Sequence, residues 1–97
     1  MLEKEIEKYL RVQVNKLGGI AYKFVSPGNV GVPDRLVLLP NGKIIFIELK
    51  QLGKKPSKNQ NVQIERIKKL GFEVYVLDSK EKINQLLGGG ANAIHTP

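Results

Sequence analysis

The sequence of 97 residues contains no cysteine and no tryptophan, and only 6% of its residues are aromatic. The absence of cysteine excludes disulfide bonds and thiolate catalysis. No apolar run approaches the roughly 18 residues that a membrane span needs, and the charged N-terminus lacks the apolar core of a signal peptide. We therefore expect a cytoplasmic protein of one small domain that has no membrane partner.

Acidic residues are scarce relative to basic ones. Sixteen Lys and Arg residues stand against nine Asp and Glu residues, which gives a formal net charge of +7. Such an excess favours a polyanionic partner, because Lys and Arg contact phosphates and release counterions. The same charge would also keep an ordinary small protein soluble. Of these two interpretations we favour nucleic-acid binding.

Hydrophobic periodicity and turn residues predict alternating helices and strands. Helices are predicted at 2–17, from Ser57 to Leu70, and from Asp78 to Leu87, and strands at 20–25, 34–39, 43–50 and 72–77. The order α-β-β-β-α-β-α is typical of a layered α/β domain. Ser57 with Gln60, and Asp78 with Glu81, match capping boxes at two helix starts. We assign the domain to 1–87 and a flexible tail, containing the silent His95, to 88–97.

The turn Pro40-Asn41-Gly42 joins the two central strands, and its length decides which side chains meet. A two-residue Asn-Gly turn would pair Pro40 with Lys43. A three-residue loop would pair Leu39 with Lys43, with Pro40 at the second position of a type I turn and Gly42 in the left-handed region. We favour the three-residue loop because each of its residues suits that geometry.

The three-residue loop predicts that Asp34 lies opposite Glu48, with Lys50 on the same face of the sheet. Two opposed carboxylates repel each other, and a bound cation relieves that repulsion. Such oxygen ligands suit Mg²⁺ or Mn²⁺. A lysine beside the metal can orient or deprotonate an attacking water and stabilise charge on a phosphate. The alternative is a plain strand-end ion pair, and in so basic a chain we favour the catalytic interpretation.

Both faces of the predicted hairpin are apolar, which is typical of strands that are buried on both sides. The few short helices of this chain leave part of that surface to be covered by something else, so we expect a homodimer. One face carries Leu36, Leu38, Ile44 and Phe46, and the other carries Val37, Leu39, Ile45 and Ile47.

The residues Pro33-Asp34 followed by Glu48-Leu49-Lys50 resemble the signature of the PD-(D/E)XK nuclease superfamily. The longer stretches GVPDRLVLLP (31–40), FIELKQLGKKPSKNQ (46–60) and GFEVYVLDS (71–79) resemble the virus-type replication-repair nuclease (VRR-NUC) domain in its small stand-alone phage form. The resemblance spans residues 3 to 80. It implies a restriction-endonuclease-like α/β core, in which a mixed central sheet is flanked by helices.

The resemblance also implies an activity, namely Mg²⁺- or Mn²⁺-dependent endonucleolytic hydrolysis of DNA. It further implies a homodimer that acts on branched DNA such as Holliday junctions, in the host cytoplasm if the protein is phage-encoded. In such a site Asp34 and Glu48 would be catalytic and would hold the metal together with the backbone carbonyl of Leu49. Lys50 would be the catalytic lysine.

Members of the family also carry an acid on the first helix near the metal. Glu3 and Glu7 lie one helical turn apart on a shared face, and both qualify. The sequence pattern favours Glu3, whereas the spacing to the Gly18-Gly19 stop favours Glu7, so the choice stays open. Gln60 matches a family position that supports the active site, although its capping box explains it equally well.

The basic loop after Lys50 provides the expected DNA contacts. Lys54, Lys55 and Lys58 are expected to contact the phosphate backbone, and Lys23 and Arg35 to extend this surface. Two rival functions are a non-catalytic DNA-binding module and an RNA-processing nuclease of the same fold. The complete set of two acids and a lysine argues against the first rival, since a binding module needs no opposed carboxylates.

Overall fold

The computed structural model describes residues 2–88. This part of the chain contains α1 (Glu3–Lys16), β1 (Ile20–Lys23), β2 (Arg35–Leu39), β3 (Lys43–Leu49), α2 (Lys58–Lys69), β4 (Glu73–Leu77) and α3 (Lys80–Leu87). The order is the predicted one, and each element is slightly shorter than expected. None of the helices in 2–88 is both long and apolar enough to cross a membrane. Apart from Gly88, the predicted tail and its His95 lie outside the described residues.

The four strands form one sheet in the order β1-β2-β3-β4. Neighbouring strands run antiparallel from β1 to β3, whereas β3 and β4 are parallel. The parallel step requires a crossover, and α2 provides it. The mixed sheet flanked by helices confirms the predicted fold class.

The β2–β3 hairpin has the predicted register. Leu39 pairs with Lys43 and Arg35 pairs with Ile47, so a three-residue loop joins the strands. The predicted turn type is wrong, however. A type I turn would place Asn41 near φ −90°, but Asn41 has φ 70° and Gly42 has φ 75°. Asn tolerates the left-handed region better than most residues do, which is why the loop accommodates two such residues in succession.

The main core lies between α1, α3 and one face of the sheet. Ile6, Leu10 and Val14 recur at helical spacing on α1 and are completely buried. They pack with Ile83 and Leu87 of α3 and with alternate strand residues: Val37, Leu39, Ile45, Ile47, Leu49 and Leu77. Because side chains alternate along a strand, the residues between these face the other side of the sheet.

The second face of the sheet is only partly covered, by α2. Ile64 of α2 and Val74 of β4 are buried there, and Phe46 packs against Phe24 and Phe72 with ring centroids 5.6 and 6.0 Å away. By strand register, other apolar residues of this face lie beyond the helix. Ile20, Tyr22 and Ile44 are 46%, 52% and 40% exposed. The face is therefore an apolar surface that is open at one end.

The two predicted capping boxes have different outcomes. Ser57 caps α2 as predicted, since its hydroxyl accepts from the Gln60 N–H and the Gln60 side chain accepts from the Ser57 N–H. The second prediction is wrong, because Ser79 rather than Asp78 caps α3. The Asp78 carboxylate instead accepts a 3.0 Å hydrogen bond from the Gly53 N–H, in the loop after β3.

Candidate active site

Asp34 and Glu48 meet where β2 begins and β3 ends. Extending the observed register by one residue beyond Arg35 and Ile47 places Asp34 opposite Glu48. The Asp34 Oδ2 atom accepts a 2.8 Å hydrogen bond from the Leu49 N–H, which fixes the carboxylate against β3. Pro33, just before it, is buried. The structure thus brings the two predicted acids together at one end of the sheet.

Glu48 is buried, with only 1% of its surface exposed. Its Oε2 atom accepts a 2.9 Å hydrogen bond from Gln60 Nε2 and lies 3.4 Å from Lys50 Nζ. Its Oε1 atom is also buried, and no donor among residues 2–88 reaches it. Buried carboxylate oxygens are normally hydrogen-bonded. The Oε1 atom is therefore a free acceptor held in place by the two contacts on Oε2.

The electrostatics of Glu48 follow from this burial. Desolvation, reinforced by the nearby Asp34 carboxylate, raises the pKa of Glu48 from 4.5 to about 7, although the Lys50 ammonium acts in the opposite direction. Glu3 also contributes to the higher pKa of Glu48. Desolvation and like charge both disfavour the ionised form. A cation between the carboxylates would favour it.

The structure distinguishes the two first-helix acids. A cavity of about 200 Å³ is lined by Asp34 and Leu49 together with Glu3, Glu7, Lys23 and Arg35. Glu7 is engaged there, because its Oε2 atom lies 2.9 Å from Arg35 Nη2 and its Oε1 atom lies 3.7 Å from Arg11 Nε. Glu3 forms no ion pair within residues 2–88. Its carboxylate is the uncommitted one on the helix.

Arg35 differs in exposure from the lysines that are expected to contact DNA. The residue is only 8% exposed, and its guanidinium also donates a 3.3 Å hydrogen bond to the Ala21 carbonyl. The expectation that Arg35 extends an exposed DNA-contacting surface is not supported by this geometry. Lys23, Lys54, Lys55 and Lys58 are exposed, as such contacts require.

The donor set fits a divalent cation held by few side chains. Within 2–88, no group of three or more His, Cys, Asp or Glu side chains is arranged to hold a metal. Two opposed carboxylates with one free buried oxygen remain, and Mg²⁺ commonly binds through one or two carboxylates and keeps several waters. The residues present therefore suit a hard cation that also contacts water and substrate.

Comparison with known proteins identifies the family. The sequence model of the VRR-NUC domain matches residues 6–81. The chain belongs to the VRR-NUC domain family. It is 60% identical over 79 residues to "Putative nuclease p44" of Acyrthosiphon pisum secondary endosymbiont phage 1, covering 81% of this chain and 85% of that protein. A solved VRR-NUC domain superposes with a TM-score of 0.83 at 36% identity, covering 87% of this chain and 91% of that one. These findings support a nuclease function.

Two supports of this VRR-NUC site were not predicted from the sequence. One is the ion pair between Arg35 and Glu7, which are 28 positions apart and carry no local signal. The other is Gly31, which has φ 92°, and a Cβ atom there would lie 2.7 Å from the Asn59 backbone. The loop that leads to Asp34 therefore packs directly on the first turn of α2. The Gly- and Pro-rich composition of that loop was its only sequence signal.

Glu48 should make the metal-free VRR-NUC domain less stable as the pH rises. Between pH 4.5 and about 7 the unfolded chain releases the Glu48 proton while the folded chain retains it, so the free energy of unfolding falls across this window. The loss amounts to about 3 kcal/mol at most. Glu48→Gln should remove this component, which urea unfolding in EDTA from pH 4 to 8 can measure.

The control for this experiment is Glu81→Gln, since Glu81 is exposed on α3. That variant should keep the wild-type pH dependence. The assigned burial of Glu48 is wrong if Glu48→Gln and the wild type lose stability equally between pH 4.5 and 7.

Proposed function

We propose that this protein is a Mg²⁺- or Mn²⁺-dependent endonuclease that hydrolyses DNA phosphodiester bonds, with a preference for branched DNA such as Holliday junctions. The observation that carries the proposal is the pair of opposed carboxylates, partly buried Asp34 and fully buried Glu48, with a free acceptor at Glu48 Oε1. Such a pair is costly in an empty fold and becomes favourable around a cation. The nuclease family of the chain supports the same conclusion.

The side chains of the site divide the work of binding and catalysis. Asp34 and Glu48 would hold the cation, with the backbone carbonyl of Leu49 as a further ligand. When bound, the cation would withdraw charge from the scissile phosphate. Lys50, whose Nζ atom lies 3.4 Å from Glu48 Oε2, orients the attacking water and stabilises charge on the phosphate oxygens.

Two further residues complete the proposed site. Glu3 is the proposed first-helix acid, because it lines the cavity beside Asp34 while Glu7 is occupied by Arg35. Gln60 is a positioning residue with two contacts. Its Oε1 atom accepts from the Ser57 N–H, and its Nε2 group donates to Glu48 Oε2. The helix cap of α2 thereby fixes the orientation of the Glu48 carboxylate.

Asp34→Asn and Lys50→Ala should each lower the rate of DNA cleavage by at least about 100-fold, because they remove a metal-binding oxygen and the charge beside the phosphate. DNA binding should change little. The measurement uses four-way, flap, duplex and RNA substrates with Mg²⁺, Mn²⁺ or EDTA, and four-way DNA should be cut fastest.

Matched controls are Glu65→Gln and Lys68→Ala, which change an exposed acid and an exposed lysine of α2. Both should cleave like the wild type. Absence of cleavage of every substrate with either metal would sink the enzyme proposal, and normal cleavage by Lys50→Ala would remove that residue from the site. Faster cleavage of RNA would favour an RNA-processing nuclease.

We propose that Lys54 and Lys55, in the loop after β3, and Lys58, the first residue of α2, contact the DNA backbone, together with Lys23, which lines the cavity that also contains Asp34. The loop after β3 directly follows Lys50, and two hydrogen bonds hold it. The Gly53 N–H donates to the Asp78 carboxylate, and the Lys54 N–H donates to the Gln51 carbonyl at 2.9 Å. Exposed lysines on a fixed loop supply affinity for phosphate without reading sequence.

The double variant Lys54→Gln/Lys55→Gln should weaken DNA binding and reduce the salt dependence of its affinity, because two phosphate contacts and their released counterions are lost. The slope of log affinity against log salt should become less steep by about 2. Lys68→Gln/Lys69→Gln, at the end of α2, carries the same charge change and should keep the wild-type slope. Equal slopes for the two double variants would contradict the assignment.

We also propose a homodimer that buries the open end of the α2-side sheet face, around Ile20, Tyr22 and Ile44. In sedimentation equilibrium the wild type should be a dimer, and Ile44→Lys should be a monomer because it places a charge in the interface. Val12→Lys is the control, since Val12 is 41% exposed on α1, close to the 40% of Ile44. A monomeric wild type at all concentrations would exclude this assembly.

A further inference from the structure

The Arg35–Glu7 ion pair joins three elements of the fold beside the proposed metal site. Arg35 is the first residue of β2 and directly follows Asp34, but by strand alternation it faces α1. Its Nη2 atom lies 2.9 Å from Glu7 Oε2 on α1, and its Nη1 group donates to the Ala21 carbonyl of β1 at 3.3 Å. The guanidinium therefore ties the first half of α1 to two strands.

The exposures of the two partners are unequal. The Arg35 side chain is 9% exposed, whereas the Glu7 side chain is 39% exposed. A buried guanidinium needs a partner for its charge, and Glu7 is the carboxylate paired with it in the described chain. Glu7 itself remains partly solvated, so loss of the ion pair would destabilise the Arg35 charge far more than the Glu7 charge. The pair with Arg11, with side chains 49% and 39% exposed, adds little.

The first turn of α1 has few other attachments. Its N-cap residue, Leu2, has no polar side chain, and the cap consists of a 3.2 Å hydrogen bond from the Leu2 N–H to Glu5 Oε1. Glu3 and Glu5 are exposed, and Ile6 is the first buried residue of the helix. Glu3 lies about one turn before Glu7 on the same face. We therefore expect the contact between Glu7 and Arg35 to influence the position of Glu3.

We propose that Arg35 and Glu7 form a positioning pair that holds the N-terminal turn of α1, and with it the Glu3 carboxylate, beside Asp34 and Glu48. This inference rests on the proposed metal-dependent function. It assigns Glu7 a purely positioning role, and it makes Arg35 a link between the strand that directly follows Asp34 and the helix that carries Glu3.

The test compares Mn²⁺ affinity, measured by calorimetry, among Arg35→Met, Glu7→Gln, their double variant and the control Arg11→Met. Arg35→Met should fold, since it replaces a buried charge by an apolar side chain of similar length and leaves Glu7 partly solvated. Each single variant should bind Mn²⁺ about 10-fold more weakly, as expected for a residue that supports a ligand. The double variant should be no weaker than the single ones, and Arg11→Met should be unchanged.

The increase in melting temperature that Mn²⁺ produces separates a positioning role from a merely structural one. A general loss of stability lowers the melting temperature with and without Mn²⁺ by the same amount. Loss of positioning also reduces the increase in melting temperature that Mn²⁺ produces, and we expect this smaller increase in both single variants. Arg35→Lys, which keeps the charge but loses the planar fork, should bind Mn²⁺ with intermediate affinity.

The direction of the Arg35→Met effect decides between the two acids. If Glu7 were the metal ligand, removing Arg35 would free its carboxylate, and Mn²⁺ would bind equally or more tightly, which would overturn the proposal. Wild-type Mn²⁺ affinity in Glu7→Gln would overturn it as well. A wild-type protein that binds no Mn²⁺ would instead overturn the proposed metal-dependent function itself, and the positioning pair with it.

Discussion

The register of the β2–β3 hairpin is the constraint on which the site depends. A shift of one residue would turn Asp34 and Glu48 to opposite faces of the sheet. The three-residue loop prevents this shift by pairing Leu39 with Lys43. The surrounding fold then holds two opposed carboxylates together, one of them buried, despite their mutual repulsion. A bound cation or a proton offsets that repulsion.

The two faces of the sheet support the site in different ways. On the α2 side, the helix cap at Ser57 and Gln60 reaches Glu48 directly through the amide of Gln60. On the α1 side, the ion pair of Arg35 with Glu7 fixes the start of the helix. The hydrophobic core between α1, α3 and the sheet supplies most of the stability. The polar contacts contribute less to the free energy of unfolding than the core does. Their main effect is to set the positions of charged groups.

Much of the fold could be predicted from the sequence, because the signals were local. Pro40-Asn41-Gly42 indicated the loop length, and hence which residues oppose each other, although the left-handed conformation of Asn41 was not foreseen. The sequence left Glu3 and Glu7 as alternatives, because the contact on which our proposal for Glu3 rests joins Glu7 to a guanidinium 28 positions further along the chain. The same contact leaves Arg35 only 8% exposed, a burial that the sequence did not indicate when it grouped Arg35 with the lysines expected to contact DNA. Asp78 was misread as a cap because its partner, Gly53, lies in a distant loop.

The most direct test of the central claim is a crystal structure of the protein grown with Mn²⁺, with the metal located by its anomalous scattering. A single strong peak should lie about 2.1 Å from an oxygen of Asp34 and from an oxygen of Glu48, with the previously free Glu48 Oε1 turned to the metal. A peak elsewhere, or saturating Mn²⁺ with no peak between these two carboxylates, would contradict the account.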